Sequence, residues 1–266
     1  MSTSNLIRDP RLAQVPWRDL VALTPREKLA ELAIWTPWFA GALACYSRAW
    51  IVPGLAMSFM FFLTGLRQSH NAQHYALGIP KIATDAILFL LSVIMLSSMH
   101  AFQVAHLHHH RHCLGDEDFE ARSGRMTWIG AILFGPVFPF VVHVNALRIG
   151  SPVKRRWILV EIATIALVAI AGVTLDLPPA IRWHLGVMAI GQCFTAFFAV
   201  WTVHHGCTPQ TQIARTQRGW LKNTISYAMF YHHEHHQFPA VPTCKLPTLA
   251  TRIDAVAPEF RKMQVY

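Results

Sequence analysis

Charge is what this sequence has least of. Only 14% of its 266 residues are charged while 53% are hydrophobic, against about 25% charged in an average soluble domain. Mean hydropathy is +0.32, a balance that fits an integral membrane protein better than a soluble enzyme. The five cysteines (Cys45, Cys113, Cys193, Cys207 and Cys244) form no C-x-x-C and no paired spacing. That excludes a disulfide framework and a cysteine-held iron–sulfur cluster, and fits a reducing compartment or a membrane interior. Despite a net charge of +9, there is no aromatic-interleaved basic run of the kind that binds nucleic acid. Residues 1–31 are polar and lack the apolar centre of a cleavable signal peptide. No low-complexity linker interrupts the rest, so the chain reads as one helical domain preceded by a polar segment.

What is abundant is histidine. His70 and His74 read H-x-x-x-H; His106, His109 and His110 read H-x-x-H-H; His232, His235 and His236 repeat H-x-x-H-H; and His204-His205 closes a long apolar stretch. Residues three and four apart share one face of a helix, so each box aims two or three imidazoles at one point. No box completes a metal site alone. Together they supply eight imidazoles, and nine or ten with the pair, which is twice the four that a structural zinc site uses and points to two metal ions. Imidazole suits iron, copper, nickel and zinc, so ligand type leaves the metal open. His108, His112 and His233 lie inside the boxes but off this spacing and read as hydrogen-bond donors or water-facing side chains; His100, His143 and His184 stand alone and read as packed or interfacial side chains.

Apolar stretches cover residues 32–46, 49–66, 86–99, 127–147, 158–175 and 183–203. A spanning helix needs about 20 residues. Boxes that share metals must lie on one side of the membrane, and the ~30 residues between the first two boxes are too few for two crossings. The stretch 86–99 is therefore expected to dip in and return, or to lie along the interface. The same parity between His112 and His204 leaves an even number of crossings there. The stretch 127–147, broken by Gly135, Pro136 and Pro139, is the weakest spanner. The expected fold is an all-α integral membrane protein. It has four transmembrane helices in two hairpins, 32–66 and 158–203, and a cytoplasmic helical cap carrying the boxes, 70–112 and 204–247. Of 23 Lys and Arg residues only Arg48 and Arg182 fall on the far side, which makes the histidine face cytoplasmic. Glu161, one turn from Lys154–Arg156, reads as snorkelling toward that face.

Three boxes in this order around such a core resemble the membrane-bound fatty acid desaturase and hydroxylase superfamily. The flanks agree. His232-His233-Glu234-His235-His236-Gln237-Phe238-Pro239-Ala240-Val241-Pro242, followed by Leu246-Pro247, is similar to the third box of lipid desaturases. His106-Leu107-His108-His109-His110-Arg111 with Gly115-Asp116-Glu117-Asp118-Phe119 is similar to the second. The resemblance covers roughly residues 32–249. It implies a di-iron centre that activates O2, with His70, His74, His106, His109, His110, His232, His235 and His236 as ligands. A further ligand is implied at the end of the helix before the third box, His204 or His205.

The resemblance also implies the chemistry. Taking hydrogen from an unactivated methylene needs a strong oxidant that no side chain supplies. Fatty acid desaturation of a lipid acyl chain is the leading expectation; a lipid hydroxylase or a carotenoid ketolase would use the same ligands. A metal transporter or storage protein is the reading from another class, but transport favours ligands at mid-membrane. Asp116, Glu117, Asp118 and Glu234 are candidate partners for the outer ring nitrogens. No His-Pro-Gly-Gly signature of a fused cytochrome b5 is present, so an external donor (a ferredoxin, cytochrome or reductase) is expected to supply electrons. Arg111, Arg122, Arg125, Arg215, Arg218 and Lys222 read as positive-inside anchors, with docking of an acidic donor as the alternative.

Overall fold

A computed structural model describes residues 9–209 and 212–265, and among these it contains helices and loops but no strand. In chain order the helices are α1 (Pro25–Ala33), α2 (Thr36–Ser47), α3 (Ile51–Gln73), α4 (Lys81–Met95), α5 (Met99–His112), α6 (Trp128–Phe134) and α7 (Phe138–Ile149). There follow α8 (Pro152–Thr174), α9 (Pro179–Gln192), a π-helical turn (Ala196–Trp201) running into α10 (Thr202–His204), then α11 (Trp220–Ile225), α12 (His232–Gln237) and α13 (Leu246–Val256).

Among the described residues two helices, α3 and α8, are long and apolar enough to cross a membrane. The number rises to five if each of three bent pairs counts as one span. α8 shows most plainly what surrounds it. Capped by Ser151 with Pro152 in its first turn, it buries only Ile158 and Glu161 along its length. Leu167 is 67% exposed and Val173 89%. A helix apolar on nearly every face needs an apolar solvent. The expected first crossing is shorter than its sequence suggested. α1 ends at Ala33 and α2 has 12 residues, about 18 Å at the helical rise against a hydrocarbon core of about 30 Å. Within the stretch 86–99 the chain turns sharply: α4 gives way at Leu96, in the left-handed conformation, and α5 leaves at 113° to it. The stretch 127–147 breaks into α6 and α7, bent by 66° at Gly135–Val137.

Close helix packing fixes this frame. A Cβ on Gly54 would lie 2.3 Å from the Tyr46 ring, so only glycine lets α3 meet α2 there. Tyr46 bonds Ser58 (2.8 Å) and stacks on Trp183 of α9. The described residues before α2 pack against the rest of the chain. Leu12, Val15 and Leu20 share a core with Tyr231, Phe238, Leu246, Leu249 and Ile253, and so join the third-box region.

Glu161 departs from expectation. It does not reach for water but is fully buried. Its carboxylate faces His100 Nδ1 at 2.6 Å and accepts from the Ser98 hydroxyl and the His100 backbone N–H. His100 Nε2 meets Asp85, which also receives Lys154 and the Tyr75 hydroxyl. A buried carboxylate is tolerated when it is paired and hydrogen-bonded, and this one ties α5 to α8 and α4 two turns before the second box.

Candidate metal centre

The boxes meet. His70 and His74 come from the end of α3, His106, His109 and His110 from α5, His204 from α10, and His232, His235 and His236 from α12. Ligating nitrogens of His70, His74, His106 and His235 lie within 4.8 Å of one another, and so do those of His109, His204, His232 and His236. His110 joins the first group, its Nε2 lying 3.1 Å from His106 Nε2 and 3.0 Å from His235 Nε2. The groups adjoin through the His110 ring of the first, stacked on His236 of the second at 4.4 Å; within the second, His109 Nε2 lies 3.2 Å from His236 Nε2.

The outer nitrogens reveal what faces inward. His106 Nδ1 lies 3.0 Å from Glu120, His109 Nδ1 2.7 Å from Asp118, and His204 Nδ1 2.9 Å from the Ile213 carbonyl. Oxygen acceptors there fix the N–H on Nδ1. In a neutral imidazole the inward Nε2 is then a bare lone pair. His204 Nε2 nevertheless lies 3.1 Å from His232 Nε2, and His106 Nε2 3.1 Å from His110 Nε2. His70 Nε2 and His74 Nε2 are buried with no hydrogen-bond partner. Burial, reinforced by neighbouring imidazoles, pushes His232, His235 and His236 well below the ordinary histidine range, so they stay neutral. Burial alone would lower His109 as well, but Asp118 holds it well above the ordinary histidine range. Converging ring nitrogens, three of them with anchored outer nitrogens, are the donor set of a polynuclear site for a borderline transition metal, and these residues fit such ions.

Each strand of the cage is held by buried polar bonds. Arg67, one turn before His70, makes a bidentate pair with Glu31 (2.6 and 2.7 Å) and donates to the Tyr227 carbonyl. Asn71 bonds Glu31 and receives Thr243. Burial would raise the Asp118 carboxyl, but His109 and the backbone N–H groups of Leu114 and Ala121 draw it down to about 2. Glu120 meets His106 but receives no backbone N–H, and burial pushes it up to about 8. A Cβ on Gly124 would lie 2.9 Å from His204 Cβ, which lets the loop after Glu120 close over α10.

Of the ten histidines singled out as ligand candidates the structure gathers nine. His205 is the exception: the helix ends at His204, and His205 stacks on Trp201 at 4.1 Å with its Nδ1 on the Trp201 carbonyl. Among the candidate partners, Asp118 meets a cage histidine. Glu234 pairs instead with Arg218 and Thr216, Glu117 with His112, and Asp116 is exposed near Arg125. Glu120 and the Ile213 carbonyl were not anticipated; Glu120's offset of 14 residues from His106 carries no helical signal. His233 packs on Phe260, and His143 and His184 bond backbone groups.

A cavity opens onto the cage. Its walls include Leu66, Phe102, Phe138, Phe198, Val200 and Met229, and it reaches His70, His106 and His232, so it touches both groups of histidines. A largely apolar cavity bordered by a few polar donors is the form of a site for a hydrocarbon ligand.

Comparison with known proteins follows this geometry. The family model for fatty acid desaturases matches residues 47–265. A beta-carotene ketolase from Paracoccus sp. (strain N81106 / MBIC 01143) is 28% identical over 57% of this chain and 58% of its own length, so the chain matches well under two thirds of that relative. With matching sequence over most of its length, this chain belongs to the fatty acid desaturase family.

Proposed function

We propose that the chain is an O2-dependent oxidase of lipid hydrocarbon, and first a desaturase of an acyl chain, using two irons and electrons from an external donor. The observation that carries the reading is the double cage: nine imidazoles, six buried and three half-buried, in two adjoining groups beside a largely apolar cavity. Two bound irons would supply the oxidising power, with O2, that side chains lack. His70, His74, His106, His110 and His235 would hold one, and His109, His204, His232 and His236 the other. Asp118, Glu120 and the Ile213 carbonyl would keep the proton on the outer nitrogen and the lone pair aimed inward. Phe102, Phe138 and Phe198 would line the chain's path and keep water from the reacting carbons.

We further propose two hairpins, α2–α3 and α8 with α9–α10, as the membrane anchor. In this arrangement α4–α5 is re-entrant, and residues 1–31 and the box regions stand on the cytoplasmic side. The positive-inside bias and the burial of Leu12, Val15 and Leu20 against the third-box region support it.

A second reading, ketolation of a carotenoid, is favoured by the similarity to a ketolase. Expression in a host lacking its own desaturases, with and without a carotenoid, separates the two. Desaturation removes two hydrogens from an acyl chain, whereas ketolation adds an oxygen to the pigment. A His235→Ala control should abolish either product. No change in lipid or pigment in the wild-type strain would refute both.

A further inference from the structure

From the outer face of α5 we infer a third metal site, formed by His108, His112 and Glu117, that takes a divalent first-row transition ion such as Zn2+ or Co2+. The cage histidines of α5 occupy one side of the helix. His108 and His112, four apart, share the opposite side. Their rings stack at 4.1 Å and 25°. His108 Nε2 lies 3.0 Å from the Glu117 carbonyl oxygen and His112 Nδ1 3.1 Å from a Glu117 carboxylate oxygen. One ligand atom from each of the three residues falls within 4.8 Å of the other two. Phe119 stacks on His108 at 5.3 Å and fixes its ring. Unlike the cage, this cluster meets water, with the Glu117 side chain 73% exposed and His112 25%. Two imidazoles and a carboxylate, with water completing the shell, suit zinc and its neighbours in the first row.

An ion here would tie the 113–120 loop to the helix it follows. The residue after Glu117 is Asp118, which anchors His109, and Glu120 anchors His106 in the same loop. The outer site therefore lies against the groups that orient two cage ligands, while its own ligands are separate from them.

The test uses the purified full-length protein without an affinity tag, loaded with iron, and equilibrium dialysis against Zn2+ with iron and zinc counted together. The wild type should take up one zinc per chain and release no iron. His112→Ala should lose that zinc and Glu117→Gln should weaken its binding, each with iron content and monodispersity unchanged. Uptake of no zinc, uptake only with release of iron, or undiminished uptake by both variants would overturn the proposal. If His112→Ala does not fold, Glu117→Gln alone decides, because its side chain is mostly exposed.

Discussion

His204 and His205 differ by one position and share no role in the structure. His204 sits in the cage with its outer nitrogen on the Ile213 carbonyl, while His205 turns out onto Trp201. His204→Ala should halve the bound iron, whereas His205→Ala should leave it unchanged; iron per chain measures both. Asp118 and Asp116 make a second contrast, the first buried on His109 and the second exposed. Loss of a ligand's outer partner weakens metal binding about 10–100-fold. Asp118→Asn should do so in chelator competition, and Asp116→Asn should not. The eight box histidines were legible because helical spacing makes a shared face visible in sequence. The choice at 204–205 was not. A π-helical turn precedes them, and its extra residue shifts the register that a 3.6 period would give. Glu120 was illegible for another reason: it meets His106 across a loop, where no period applies.

At the scale of elements, the cage draws on four helices, three of which are clamped by buried ion pairs or hydrogen-bonded carboxylates. α3 is clamped by the Arg67–Glu31 pair, α5 by His100 with Glu161, and α12 by Glu234 with Arg218, which also grips Asp254 of α13. Removing one partner of a buried pair leaves an uncompensated charge and costs about 3–5 kcal/mol. Glu31→Ala should therefore lower the unfolding midpoint of the solubilised protein markedly. Replacing Glu31 and Arg67 together by Gln and Met should restore much of it. A single substitution no worse than the double would show that the pair contributes nothing. The convergence of the first two boxes was readable from their shared ligand spacing and from length together, since ~30 residues cannot cross twice. Glu161 was misread because its position one turn from Lys154–Arg156 matches snorkelling, while its partner His100 lies 61 residues away and only the folded chain brings them together.

For the whole molecule, helix content and membrane character followed from composition, but the number of crossings did not. α2 is short, and three helix pairs are bent in ways that hydropathy does not register. The proposed topology puts Asp176 outside and Asp116 inside. In a cysteine-free background, Asp176→Cys should react with an impermeant maleimide in intact cells and Asp116→Cys only after lysis. Equal labelling of both would reverse or break the scheme. The centre itself is tested most directly by elemental analysis of the purified, untagged wild-type protein. Nine imidazoles in two adjoining groups predict two irons per chain. A single metal ion, zinc in place of iron after growth in iron-replete medium, or no metal at all would contradict the account.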